Sequence, residues 1–146
     1  MVKIDPKLQS QVWQRVQGEQ AGPNEQRLSL LEAETAAQFQ ALMAYYPGKR
    51  QLLQQMLSQC QNHLACLQGV EYLRRGLRQS LPAVKPRLKD EAAIARKCYV
   101  NCLNLANLYE QNRNDPEYGV VYGELAHAKR QHCMQLLMLM GQNRKN

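Results

Sequence analysis

Three interruptions of the helical pattern decide how this chain can fold, and they differ in length. Two are tight turns, one at Pro47-Gly48 and one around Asp115, and each separates two long helical segments. The third is a connector of residues 76–89, which joins the two resulting hairpins. Tight turns hold consecutive helices antiparallel, whereas a long connector lets the chain return along a bundle before the next helix begins. The sequence therefore predicts two helical hairpins joined by a crossover.

Four segments carry apolar residues at the three- and four-residue spacing of a helix that is buried along one face. The predicted helices cover about residues 25–46, 50–75, 90–111 and 116–140. The second helix would be roughly 39 Å long at a rise of 1.5 Å per residue. The connector can extend over roughly 46 Å at 3.3 Å per residue. It is therefore long enough to run back along the whole bundle.

A shorter segment precedes the bundle. Asp5-Pro6 is typical of a helix start, with a capping side chain followed by proline at the first helical position. We expect residues 1–27 to form an extra short N-terminal helix and a linker, with Trp13 docked on the bundle. Residues 28–146 would then form the four-helix bundle, and the chain of 146 residues would be a single all-α domain.

Composition limits the classes of function that the chain can have. The formal net charge is +7, but the basic residues are spread and no nucleic-acid-binding motif is present, so nucleic acid is not an expected partner. Five scattered cysteines, no signal peptide and no apolar run of membrane-spanning length predict a cytoplasmic protein with free thiols. An exposed stripe on the N-terminal helix would instead indicate a homodimer contact, and any other protein partner is unknown.

His63 and His132 occupy matching places in the two hairpins. Each lies on the apolar stripe of its helix, where an imidazole needs a hydrogen-bonding partner. Cys60 and Lys129 each precede one of these histidines by three residues, so the same separation along the chain relates both pairs. Because residues at i and i+3 share a helix face, the pattern predicts an internal repeat with polar groups at the same depth in each copy.

Two further residues extend this level of the bundle. Glu34 lies as far before Pro47, in the first turn, as Cys102 lies before Asp115, in the second. In antiparallel helices, an equal distance from the turn means an equal height in the bundle. The glutamate, the two cysteines, the lysine and the two histidines are therefore all expected at one level.

The chain resembles the ferritin-like superfamily, in particular its small rubrerythrin-like bacterial members. The resemblance covers about residues 28–141. It rests on the predicted topology, on residues 63–70 (HLACLQGV) in the second helix, and on residues 115–119 (DPEYG) at the start of the fourth. In that family, a Glu from each of two helices and a Glu-x-x-His from each of the other two bind a pair of irons.

The resemblance implies which positions of this chain correspond to the iron ligands. They are Glu34, Cys60, His63, Cys102, Lys129 and His132. Only Glu34, His63 and His132 are of the family's ligand types, because three glutamate positions are occupied by two cysteines and a lysine. A di-iron site needs several carboxylates to neutralise two cations, and a lysine would add a third positive group. We therefore expect a degenerate metal centre without oxidase or peroxidase activity.

Two functions follow from this expectation. In the preferred one, no metal or cofactor binds, Lys129 pairs with Glu34, and the chain is a binding or scaffold module. The alternative is a metal-binding protein for zinc or a single iron, which the resemblance would link to oxidative stress. Its ligands would come from Glu34, Cys60, His63, Cys102 and His132.

Two expectations concern side chains outside this set. Glu124 and His127 form a literal Glu-x-x-His motif, but they share a helix face with Val120 and Gln131 and lie away from the apolar stripe. We predict that this motif is exposed to solvent. Tyr45, Tyr46 and Tyr109, near the ends of the hairpins, are predicted to pack with their hydroxyls directed toward water.

Overall fold

The computed structural model describes residues 25–76 and 90–143, and within these ranges the chain contains helices and turns but no strand. The helices are α1 (Glu25–Leu42), α2 (Arg50–Arg75), α3 (Glu91–Gln111) and α4 (Gly119–Asn143), with a short 3-10 helix at Pro47–Lys49. The prediction of an all-α fold with these four helices is confirmed for the described residues. The predicted N-terminal helix, including Trp13, lies outside them.

Side-chain contacts fix the relative directions of α1 and α2. Glu25, at the start of α1, bonds to Arg75 at the end of α2. Glu32, two turns later in α1, contacts His63, which lies earlier in α2. The two helices are therefore antiparallel, as expected for a hairpin with a tight turn.

The direction of α3 follows in the same way. Glu32 of α1 contacts Tyr109 near the end of α3, whereas Gln38, later in α1, contacts Asn101 earlier in α3. α3 is thus antiparallel to α1 and runs the same way as α2. The end of α2 and the start of α3 therefore lie at opposite ends of the bundle, which is the arrangement that a crossover connection requires.

α4 runs parallel to α1 and completes the bundle. Tyr122 in the first turn of α4 contacts Glu25 in the first turn of α1. Lys129, two turns later in α4, contacts Glu32, two turns later in α1. The four helices therefore run up, down, down and up.

The turn before α4 differs from the sequence prediction. The Asp115 carboxylate accepts hydrogen bonds at 2.9 Å from the backbone N–H of Tyr118 and from that of the preceding residue. These bonds hold residues 116–118 in a turn, so α4 begins at Gly119 and not at residue 116. A Cβ at Gly119 would collide with the backbone carbonyl of Arg113, which explains why glycine suits this position.

The ends of α1 and α4 also differ from the predicted ends, and the end of α2 is determined by a glycine. α1 ends at Leu42, because residues 43–45 form a turn. α2 ends where Gly76 adopts a left-handed conformation with φ of 69° and donates its N–H to the carbonyl of Tyr72, which is a common helix C-cap. α4 continues through Gly141, although an interior glycine costs about 1 kcal/mol relative to alanine.

The buried side chains form two apolar clusters along the bundle. One lies toward the α1–α2 turn and includes Phe39, Leu53 and Leu136. The other lies toward the α3–α4 turn and includes Leu67 and Leu105. Polar side chains fill the level between the two clusters. No helix in the described ranges is long and apolar enough to cross a membrane.

Candidate functional site

The Glu32 carboxylate lies at the centre of this polar level and is fully buried. Its Oε1 is 2.8 Å from the Lys129 Nζ. Its Oε2 accepts a 2.6 Å hydrogen bond from the Tyr109 hydroxyl and lies 3.1 Å from the His63 Nδ1. Each of the other three helices thus supplies one partner, so a single carboxylate from α1 links all four helices. We call Glu32, Cys60, His63, Tyr109, Lys129 and His132 the central layer.

Lys129 has a second contact inside the bundle. Its Nζ lies 3.2 Å from the Cys60 Sγ and donates to it, and its side chain is fully buried. Cys102, which packs in the same apolar cluster as Cys60, is also affected by the lysine charge. A hydrogen bond from Cys98 is the main cause that lowers the pKa of Cys102, and Lys129 adds to this effect.

Glu32 and Lys129 are both charged at neutral pH. Burial alone would raise the pKa of Glu32, but Lys129 and His63 lower it to about 2. Burial alone would lower the pKa of Lys129, but the Glu32 carboxylate raises it above the usual range. The two side chains therefore form a buried ion pair. In contrast, burial raises the pKa of Cys60 to about 12, so that its thiol stays neutral and unreactive.

His132 is held as a neutral imidazole. Its Nε2 lies 2.6 Å from the Gln59 Oε1 and donates to it, which leaves Nδ1 buried without a hydrogen-bond partner among the described residues. The ring packs edge-on against Phe39, with centroids 5.5 Å apart, and stacks on His63 at 6.1 Å. Burial, and then the nearby Lys129 charge, lower the pKa of His132 to about 3.

The two residue pairs that match in the sequence face each other in the structure. Cys60 bonds to Lys129, and the ring of His63 stacks on that of His132. Cys102 is adjacent, in the apolar cluster that contains Cys60. Four of the five predicted ligand residues therefore lie in or beside the central layer, and their role as metal ligands stays a prediction.

The fifth predicted ligand lies elsewhere. Glu34 is half-buried and lines a surface groove between α1 and α3, together with Asn104 and Leu108. The prediction that Lys129 pairs with Glu34 is wrong, because its partner is Glu32. Glu34 follows Glu32 by two residues, which corresponds to a rotation of about 200° around the helix axis. Glu34 therefore lies on the surface side of α1, whereas Glu32 lies on the core side.

The sequence contains a signal for Glu32 that the count from the turn does not use. Leu28, Glu32, Thr35 and Phe39 follow one another at steps of four, three and four residues, and all four are buried. This is the spacing of a buried helix face. A glutamate in the middle of such a stripe, like the histidines in α2 and α4, predicts a buried polar cluster.

The two expectations outside the ligand set had different outcomes. Glu124 and His127 are both exposed, as predicted. The prediction for Tyr109 is wrong, because its side chain is fully buried and its hydroxyl donates to Glu32 instead of facing water. Burial, followed by the nearby Glu32 charge, raises the pKa of Tyr109 well above its usual value.

The central layer does not fit the di-iron centre that the resemblance implies. It offers one carboxylate and two imidazoles, and its lysine already places a positive charge beside the carboxylate. Within residues 25–76 and 90–143, no group of three or more His, Cys, Asp or Glu side chains is arranged to hold a metal ion. A metal ion beside Lys129 would also be repelled by the ammonium group.

A second buried carboxylate, that of Glu25, lies at the end of the bundle near the α3–α4 turn. The Tyr122 hydroxyl donates to it at 2.6 Å, and the Arg75 Nη1 donates at 2.8 Å. The Nε of Arg74 lies 3.5 Å away, and the same guanidinium pairs with Asp115. We call these five residues the end cluster.

Comparison of the chain with protein-family models, with curated proteins and with solved structures gave no match. The resemblance to ferritin-like proteins therefore stays a prediction from the sequence, based on the predicted topology and on residues 63–70 and 115–119. The physical evidence for a function comes from the central layer itself.

Proposed function

We propose that this chain is a non-catalytic, ferritin-like four-helix bundle in which an internal ion pair takes the place of a metal centre, and that it acts as a binding or scaffold protein. The observation that carries the proposal is the Lys129 ammonium, which is fully buried and lies 2.8 Å from Glu32 and 3.2 Å from Cys60. A buried carboxylate needs a compensating cation, and here a side chain of the same chain supplies it.

The Glu32 carboxylate has a compensating charge without a metal ion. One carboxylate is paired with one ammonium, while the Cys60 thiol and the His132 imidazole are held neutral. Adding a divalent cation would leave a buried excess of positive charge, which is costly in a low-dielectric interior. The lysine therefore compensates the buried carboxylate at the level where the family places its irons.

Two side chains of the central layer, those of His132 and Cys60, are poorly suited to acid–base or nucleophilic chemistry. A general base works best with a pKa near the working pH, whereas the pKa of His132 is lowered to about 3. A neutral thiol such as that of Cys60 is a weak nucleophile. Surface grooves of about 780 and 710 Å³ occur among the described residues, and no central-layer residue lines either of them.

Element analysis of protein purified without an affinity tag tests the proposal directly. We expect iron, zinc, manganese and copper well below one ion per chain. A stoichiometric metal content would contradict the proposal and indicate the alternative of a zinc or single-iron protein. The variant Cys60→Ser/His132→Ala then shows whether that metal is bound at the central layer, since only a metal held there would be lost.

An activity measurement tests the non-catalytic part separately. Ferrous iron is mixed with the protein under oxygen, or with peroxide, and the formation of ferric iron is followed by absorbance. We expect the same rate with and without protein. A protein-dependent rate would overturn the non-catalytic part of the proposal.

A further inference from the structure

Among the described residues, six large apolar side chains are exposed on the second hairpin; Val120 lies beside the α3–α4 turn, and the other five lie farther from it. The exposed fractions of these five are 42% for Val100, 41% for Leu103, 59% for Met134, 52% for Leu137 and 60% for Met138. The first two belong to α3 and the others to α4. Met134, Leu137 and Met138 follow the three- and four-residue spacing of a single helix face. We call these five residues the α3–α4 patch.

An ion pair shows that the two halves of this patch adjoin. Glu110 of α3 contacts Arg130 of α4 at 3.2 Å, so both residues lie at the edge where the two helices meet. Leu103 precedes Glu110 by seven residues, and Leu137 follows Arg130 by seven residues. Seven residues are close to two helical turns. Because α3 and α4 are antiparallel, Leu103 and Leu137 therefore lie opposite each other along the same edge.

The exposed charges around the patch are mostly positive. Arg96 and Lys97 lie within one turn of Val100 and are exposed, and Arg130 lies one turn before Met134. Glu110 is the nearest described acidic side chain along this edge, and it is paired with both Arg113 and Arg130. The patch is therefore an apolar surface with a basic rim.

We propose that the α3–α4 patch binds an acidic amphipathic helix of a partner protein. Such a helix would lay an apolar face along the edge between α3 and α4 and direct its carboxylates to Arg96, Lys97 and Arg130. Methionine side chains adapt to partners of different shape, and two of the five residues are methionines. This inference rests on the proposed binding or scaffold role and identifies the surface and the kind of partner.

Two other occupants fit the surface less well. A second copy of this chain would bring the basic rims of two identical patches together, and like charges facing each other oppose association. Trp and Tyr are enriched where proteins meet the membrane–water interface, whereas all five patch residues are aliphatic or methionine. The acidic helix satisfies both the apolar centre and the charged rim.

Fluorescence anisotropy with two labelled synthetic helices tests the proposal on the full chain. Both peptides carry leucines at the spacing of a helix face, with glutamates at the other positions of one peptide and lysines at those of the other. We expect the glutamate peptide to bind and the lysine peptide to bind at least about tenfold more weakly, because only the former complements the basic rim. Leu137→Gln should weaken binding of the glutamate peptide about tenfold or more.

The matched control is Leu73→Gln on α2, which changes the same residue type at a site that is 70% exposed and outside the patch. This variant should bind like the unchanged protein. Equal binding of both peptides, or equal effects of Leu137→Gln and Leu73→Gln, would overturn the proposal. So would a dimer in sedimentation that only Leu137→Gln dissociates, or patch-dependent binding to anionic vesicles of phosphatidylglycerol.

The two proposals fail in different experiments. A stoichiometric metal content would contradict the proposed function but would leave the peptide result unchanged. Loss of selective peptide binding would remove the α3–α4 patch as the partner surface, while the ion pair would still explain the central layer.

Discussion

The two buried carboxylates of α1 have similar surroundings but different cations. Glu25 and Glu32 are seven residues apart on the same helix face, and each accepts a 2.6 Å hydrogen bond from a tyrosine hydroxyl, that of Tyr122 or Tyr109. In the end cluster, the cations are two arginines whose side chains are 21% and 41% exposed. In the central layer, the cation is Lys129, whose side chain is not exposed at all.

The comparison indicates that the burial of a charged side chain determines how strongly its partner depends on it. The arginines of the end cluster keep part of their guanidinium groups in water, and the loss of one leaves Glu25 with other donors. Lys129 is shielded from water, and its ammonium is the one cation that contacts Glu32 among the described residues, apart from the titratable His63. The central layer is therefore expected to behave as a single unit, whereas the end cluster should tolerate the loss of a member.

Removing the cation from each region gives the largest expected difference. Lys129→Met leaves Glu32 buried without its ammonium partner and should lower the free energy of unfolding by about 3–5 kcal/mol. Arg75→Met removes a half-exposed guanidinium, so its loss should be about 1 kcal/mol or less. Urea denaturation of the two variants at pH 7 measures both values, and equal losses would contradict the comparison.

A second substitution separates lost charge compensation from lost packing. Glu32→Gln keeps an acceptor for Tyr109 and His63 but removes the charge that Lys129 neutralises. Combined with Lys129→Met, it should restore about 2 kcal/mol of the lost stability, since no uncompensated charge remains. A double variant that is no more stable than Lys129→Met would mean that the lysine acts through its packing alone.

The sequence predicted the two hairpins, the position of the end of α2 and the start of α3 at opposite ends of the bundle, and most of the buried stripe, because these depend on periodicity and turn chemistry alone. It placed His63 and His132 together for the same reason. The prediction named Glu34 instead of Glu32, because counting residues from the turn gives the height of a side chain in the bundle but does not give the side of the helix on which it lies. A shift of two residues changes height by only about 3 Å but turns the side chain by about 200°.

The end cluster was not predicted, for a different physical reason. Arg74 and Arg75 are adjacent charged residues at the end of a helix, a pattern that favours solvent as much as a buried partner. Their contact with Glu25 depends on where three separate helices end relative to one another, and spacing within one helix carries no such information. Tyr109 was misplaced for a related reason, since its acceptor lies on another helix.

The two regions should also differ in their response to pH. The pKa of His132 is lowered to about 3 in the folded state, against about 6.5 in an unfolded chain. Between these values the unfolded state binds a proton that the folded state does not. The stabilisation from neutral His132 is therefore complete above pH 6.5 and is lost as the pH falls toward 3. Glu32, with a pKa lowered to about 2, adds a loss only below about 4.5.

Urea titrations at pH 7 and pH 4.5 measure this effect, which should be about 2 kcal/mol. The charged and titratable groups that face His132 are Lys129, His63 and Glu32. The variant His132→Gln keeps all three of them. It should lose most of the pH dependence of stability. Tyr122→Phe in the end cluster should retain it. A His132→Gln variant with an unchanged pH dependence would show that another group is responsible.

The smallest contrast comes from the two tyrosine hydroxyls, which donate to their carboxylates over the same distance of 2.6 Å. Tyr109→Phe should cost about 2 kcal/mol, because a hydrogen bond to a buried carboxylate is lost and water cannot replace it. Tyr122→Phe should cost about 1 kcal/mol, since Glu25 keeps two arginine partners, one of them half-exposed. Thermal or urea unfolding of the two matched variants measures the difference. Equal losses of stability in Tyr122→Phe and Tyr109→Phe would show that access to water does not distinguish the two regions. The buried position of Lys129 would then have to be explained by helix packing.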